Sequence, residues 1–340
     1  MQTATTSAST VAFRQLALQV RAAGLLDRRP AYYCVKIVLT VASLVGAWAA
    51  VVIVGNSWSV LGIAAFLGVA FTQLGFIGHD AGHQQVFASR RGNRLLGLVV
   101  GNALIGMCFG WWVPKHSAHH AHPNEVGRDP DIAMGPVVTA EADGDTARHV
   151  LGRFLARRKV PLFFLLMLLR STGLHVAGAQ SLLRRRDRAA IVEGLLVVLH
   201  AGMYVTIILL VLSPLKAIAF LLVQQAVFSV YLGCSFAPNH KAMPMIGPGA
   251  NLGFAEHQVV TAQNVSGGAL LTFVLGGLDF QIEHHLFPSM PRPNLKRAQS
   301  LVKDFCLTSQ LEYCDVGLAD SFRRIVRQLR EAPATSVGLV

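Results

Sequence analysis

The chain has 340 residues, of which 53% are hydrophobic and only 14% charged, with a formal net charge of +12. Soluble domains carry about 25% charged residues, so this balance argues against an ordinary soluble protein and for the bilayer. The positive charge sits beside apolar runs, at Arg21, Arg28 and Arg29, at Arg184, Arg185, Arg186 and Arg188, and at Arg292, Lys296 and Arg297. It forms no basic domain with interleaved aromatics, which excludes nucleic acid as the expected partner.

Residues 9–26 read as an amphipathic helix, with Phe13, Leu16, Val20 and Leu25 near one face. Such a helix lies in the headgroup layer or packs on the main domain; periodicity allows both. Residues 1–30 lack an apolar core followed by a small-residue cleavage site, so no cleaved leader is expected. From Ile37 to Gly78 no residue is charged. That is roughly two membrane spans at about 20 residues each. Span one is read over Ile37–Val54 and span two over Trp58–Ile77, with Gly55, Asn56 and Ser57 as the tight turn of a helical hairpin.

Residues 95–113 are apolar, glycine-rich and end in Trp111 and Trp112, the pattern of a re-entrant or interfacial helix. Residues 124–150 carry six acidic side chains and are expected outside the membrane, and residues 160–169 are too short to cross it. Span three is read over Gly194–Leu212 and span four over Ala217–Ala237, a second hairpin. Residues 264–280 read as another interfacial segment, and the chain from Arg292 as a soluble helical tail. The arginines before span one place the outer ends of both hairpins in the cytoplasm. The five cysteines form no CxxC and read as free thiols.

The histidines carry the chemistry. His79 and His83 form an HxxxH box, His116, His119 and His120 an HxxHH box, and His284 and His285 close the run Gln281-Ile282-Glu283-His284-His285. All three boxes fall just outside apolar segments, on the side expected to be cytoplasmic. On a helix, residues i and i+4 share one face and i and i+3 nearly do, so HxxxH aims two imidazoles at one point. HxxHH does so with its first two and adds a third from the adjacent position. Neutral imidazole suits iron, copper, zinc or nickel. Seven histidines exceed the roughly four ligands of one zinc-like ion, so two ions are the economical reading. His240, in Pro238-Asn239-His240 at the end of span four, is an eighth candidate.

These boxes, with Trp111-Trp112 ahead of His116, His122-Pro123-Asn124, Gly127-Arg128-Asp129-Pro130-Asp131, Pro238-Asn239-His240 and Gln263-Asn264-Val265, resemble the membrane fatty acid desaturase family from about residue 30 to residue 290. The third box begins with Gln281 where many relatives have histidine, which is similar to bacterial acyl-CoA or acyl-lipid desaturases and to front-end desaturases. The resemblance implies an all-α membrane fold. Four spans in two hairpins would carry cytoplasmic interfacial helices and a cytoplasmic di-iron cap. It implies an amphipathic segment over 1–30, a desaturase domain over 31–290 and a cytoplasmic tail over 291–340.

It also implies His79, His83, His116, His119, His120, His240, His284 and His285 as iron ligands. Gln281 would hold a water or orient a neighbour. Asp80, Asp129, Asp131, Glu283, Asn264 and Asn239 would stand behind the ligands, where an oxygen accepts the far N–H of a ligating imidazole. Phe109, Trp111, Phe273 and Phe280 are expected along an acyl tunnel. The family's fused cytochrome b5 module is marked by HPGG, which does not occur here, so electrons are expected from a separate reductase, ferredoxin or cytochrome b5-like donor. The implied reaction uses two irons and O2 to place a cis double bond in an acyl-CoA or acyl lipid. The same ligands would also suit an alkane, sterol or carotenoid hydroxylase, or a membrane metal-binding protein with no catalysis.

Overall fold

The computed structural model describes residues 2–132 and 158–331. The acidic stretch expected outside the membrane therefore lies partly, from residue 133, outside the described residues, as do His149 and the last residues of the tail. Fourteen helices follow in order among the described residues. They are α1 (Gln2–Ala22), α2 (Pro30–Val54), α3 (Val60–Gly82) and α4 (Arg90–Gly97), which runs into a π-helical stretch (Leu98–Leu104). Then come α5 (Phe109–Ala121), α6 (Lys159–Met167), α7 (Arg170–Arg184), α8 (Arg188–Val211), α9 (Pro214–His240) and α10 (Phe254–Val260). Strand β1 (Asn264–Ser266) precedes α11 (Ala269–Val274), a 3-10 turn (Leu278–Phe280), α12 (Gln281–Leu286) and α13 (Arg292–Thr308). Strand β2 (Asp315–Gly317) and α14 (Leu318–Glu331) end the described chain.

The chain folds into two compact units, one of Arg28–Pro114 with Met167–Cys234, the other of Met1–Asp27, Lys115–Leu166 and Ser235–Val340. Helices α2, α3, α8 and α9 are long and apolar enough to cross a membrane. They cover the four expected spans to within two residues: α3 starts at Val60 rather than Trp58 and α8 stops at Val211 rather than Leu212, while all four run further at their outer ends. In the first unit both hairpin turns meet: Asn56 Oδ1 accepts from the Ser213 amide (3.0 Å) and the Asn56 carbonyl accepts from Lys216 (2.6 Å). The outward faces stay uncovered, with Ile53 83% and Leu210 82% exposed, as lipid-facing residues are. Between helices, close van der Waals fit replaces the hydrophobic effect. A Cβ on Gly68 would meet the backbone of Gln224 and Phe228, which shows how near α3 and α9 approach.

The segment read as re-entrant or interfacial is a broken helical element, with the geometry of either a broken span or a re-entrant loop. The α4–π-helix rod and α5 meet at 116°. The carbonyls freed at the break are met by rings: His200 lies 3.2 Å from the Ala103 oxygen and His175 3.0 Å from that of Ile105. His200 thereby packs the bundle, against Phe71 and Tyr204. The short run near residue 160 is α6, bent 63° from α7.

In the second unit α1 buries Leu16 and Val20, followed by Leu25, against a core that includes Val259, Ile282, Met290 and Val302. This face of the helix packs on protein, while Val11 and Leu18 stay exposed on the other. The interfacial segment expected over 264–280 is three short pieces instead: β1, α11 and the 3-10 turn. The glycines Gly267, Gly268, Gly276 and Gly277 interrupt any longer helix there, the last two with positive φ. Strand β1 pairs in parallel with β2, Val265 opposite Val316, which ties the tail to the segment ahead of the third box.

Candidate metal centre

The second unit carries most of the box histidines, and local geometry sorts them. On α5, His116 and His120 are four residues apart, and their Nε2 atoms are 3.2 Å from each other. His119 points about 100° away from His120 around the helix. The pairing expected between His116 and His119 is therefore displaced by His116 with His120, because i and i+4 lie closer in rotation than i and i+3. On α12 the adjacent His284 and His285 diverge in the same manner, with ring planes 89° apart.

Two sets result. His116, His120 and His284 bring ligand nitrogens within 4.8 Å of one another, and so do His119, His240 and His285. Nitrogens bound to one ion at ~2.1 Å are at most about 4.2 Å apart, so a small side-chain shift closes either set on an ion. All six rings are nine-tenths buried or more.

The far side of the second set is built for metal ligation. His119 Nδ1 donates to Asp129 (2.9 Å), His240 Nδ1 to the Thr261 carbonyl (2.9 Å) and His285 Nδ1 to Gln258 Oε1 (2.8 Å). With the proton fixed on Nδ1, each ring turns an Nε2 lone pair inward. An all-imidazole donor set with tautomers fixed in this way fits a borderline transition ion such as iron.

Asp129 is itself held, accepting from the backbone amides of Asn124 (2.8 Å) and Asp131 (2.8 Å). Asp131 is ion-paired with Lys115 and stands 3.8 Å from His119. Asn124, at positive φ, donates to the carbonyls of His240 (3.0 Å) and Pro244 (3.2 Å), pinning the loop after α5 to the end of α9. Gln281 sits within the second set: its amide nitrogen is 2.9 Å from His240 Nε2, and its oxygen accepts from Asn239 (3.1 Å).

Among the described residues the Glu283 carboxylate bonds no imidazole. It accepts from Asn264 (2.7 Å) and Tyr313 (2.6 Å), and burial pushes its carboxyl above the ordinary range while those two bonds pull it back. Asn264 Oδ1 also receives the Ile282 amide (2.8 Å). This group braces α12 rather than a ring. Sequence reasoning missed Gln258, Thr261, Asn124 and Tyr313. The only hint was that Asn124 lies in the His-Pro-Asn run already singled out.

In the other unit His79 and His83 close α3, with rings 4.7 Å apart. Asp80 Oδ1 is 3.5 Å from His79 Nδ1, and Trp112 lies against the His79 ring. Of the tunnel candidates, Phe109 lines a cavity of about 320 Å³ in that unit and Trp111 is partly buried. Phe280 is packed in the second unit's core and Phe273 is 57% exposed, its ring on the surface of the short α11. Of the remaining histidines among the described residues, His257 donates to the Pro123 carbonyl (2.8 Å) and His122 lies beside Glu125 and Arg128.

A family model described as fatty acid desaturase matches residues 56–317. The "Delta(5) fatty acid desaturase" of Caenorhabditis elegans is 32% identical over 315 residues, covering 88% of this chain and 69% of its own length. The "Acyl-lipid (9-3)-desaturase" of Physcomitrium patens is 30% identical over 310 residues, 88% of this chain and 58% of its own. The "Delta(8)-fatty-acid desaturase" of Borago officinalis is 29% identical over 341 residues, 94% of this chain and 74% of its own. This chain thus spans little more than half of the Physcomitrium patens protein. With that match over most of its length, its apolar helices and its paired histidine sets, the chain is an integral membrane protein that belongs to the fatty acid desaturase family.

Proposed function

We propose that the protein desaturates the acyl chain of a fatty acyl thioester or lipid, using O2 and electrons from a separate donor. The observation that carries this reading is the division of boxes two and three into two all-imidazole sets. His79 and His83 are assigned to the first set on the order of the boxes and the family match. The site would then hold two irons and face the cytoplasm, the side given by the arginines flanking α2.

An unactivated methylene yields no proton to a side-chain base, and iron bound in these sets would supply the oxidising chemistry. The chain's own residues do the rest. Asp129, Thr261 and Gln258 hold protons on Nδ1 of three rings and keep Nε2 free. The buried walls around the six rings keep water from the reacting chain. Gln281 offers either an oxygen or a nitrogen beside His240, with Asn239 deciding which way it faces. Expression in a host with simple lipids, followed by locating any new double bond, tests the proposal. A product lighter by two hydrogens supports it, and a product heavier by one oxygen gives the site to hydroxylation. Zinc or haem in place of two irons per chain would count against both.

A further inference from the structure

In the unit of Arg28–Pro114 with Met167–Cys234, a cavity of about 320 Å³ opens beside the end of α3, one residue before His83. That volume is at the small end of ligand pockets, roughly 300–1,000 Å³, enough for one end of an amphiphile and not the whole. Its walls divide in character. Leu98, Phe109 and Val113 give an apolar side, and a Cβ on Gly97 would fall 2.1 Å from the Phe109 ring, so that ring fits closely under α4.

The other side is cationic. Arg90 and Arg94 stand one helical turn apart on α4, and both line the cavity. Neither has an ion-pair partner among the described residues. Arg185 also lines it, but its guanidinium is already bound by Glu193 (3.3 Å) and Asp187 (3.1 Å). Gln84 completes the mouth under strain. It is a non-glycine residue at φ 60°, and its Oε1 is buried without a hydrogen bond. Such strain gathers at binding sites.

We propose that this cavity takes the phosphate-bearing end of the acyl donor, Arg90 and Arg94 pairing the phosphate while Leu98, Phe109 and Val113 receive the carbon chain next to it, pantetheine in an acyl-CoA or glycerol and the first methylenes in a phospholipid. This deepens the desaturase reading and rests on it. Arginine suits the role because its planar fork meets phosphate oxygens two at a time. The donor is either an acyl-CoA or a phospholipid, which share that chemistry.

The test is equilibrium binding to the full-length protein in nanodiscs without reductant, so that no turnover is needed. The probes are stearoyl-CoA, phosphatidic acid with stearoyl chains, and methyl stearate. The expected result is that R90Q/R94Q binds one of the two phosphate probes about ten-fold more weakly, with methyl stearate unchanged. Which probe loses affinity names the carrier. R91Q is the control, because Arg91 is exposed on α4 but does not line the cavity. The proposal is overturned if the double variant binds both phosphate probes as the parent does. It is equally overturned if R91Q weakens them as much, which would leave the α4 charges to the bilayer surface. A protein that binds as expected and forms no double bond would fail as a desaturase and keep this site.

Discussion

Gln258 and His285 link α10 to the third histidine box. His285 Nδ1 donates to Gln258 Oε1 at 2.8 Å, and the same amide donates to the His120 carbonyl at 3.1 Å. One buried side chain therefore orients a ring of box three and the backbone of box two. Gln258→Leu should lower metal affinity about 10–100-fold with every ligand intact. Metal titration of the purified protein checks this, and unchanged affinity would remove Gln258 from the centre.

The division of adjacent histidines between two sets predicts how metal is lost. His116→Ala/His120→Ala strikes one set and should leave about half the parent's metal, as should His119→Ala/His285→Ala. His120→Ala/His119→Ala strikes both and should leave little. Metal content per chain distinguishes this from a single shared cluster, where all three pairs would behave alike.

Glu193 is buried at the start of α8, and its carboxylate accepts from the Gly110 amide (2.9 Å) near the start of α5. A Cβ on Gly110 would lie 2.2 Å from Glu193 Oε1. Gly110→Ala should therefore evict the carboxylate from its partners and destabilise the fold by about 1–3 kcal/mol. Thermal unfolding in detergent measures it, and Gly110→Ala/Glu193→Ala should recover part of the loss.

The Glu283 carboxyl is held above its ordinary 4.5 by burial. A carboxyl raised in the folded state costs stability once the unfolded chain ionises it. Stability from this group is full below pH 4.5 and falls as pH rises toward the folded value. In metal-free protein the unfolding temperature of the parent should drop over that window relative to Glu283→Gln. A constant difference between the two would show that the Tyr313 and Asn264 bonds cancel the burial.

Much of this was legible beforehand, and physics says which part. Apolar runs long enough to cross a bilayer announce α2, α3, α8 and α9, because a bilayer tolerates little else. The boxes announce themselves together, because HxxxH spacing puts two imidazoles on one helix face and three such boxes follow in order beside apolar segments. Gln258 and Thr261 were not legible: their contacts to His285 and His240 depend on how α10 packs, and no local spacing records that. The surroundings of Phe273 were not legible either, since the glycines around α11 cut its apolar run short and leave the side chain 57% exposed.

The parallel pairing of β1 with β2 gives the chain beyond the third box a purpose that its hydrophilic composition conceals. Tyr313, two residues before β2, reaches back to Glu283 in the box itself. The family match also stops at residue 317, where β2 ends. Trimming the protein after the last histidine would thus remove a buttress and not a handle: the imidazoles would remain while the wall behind them was gone.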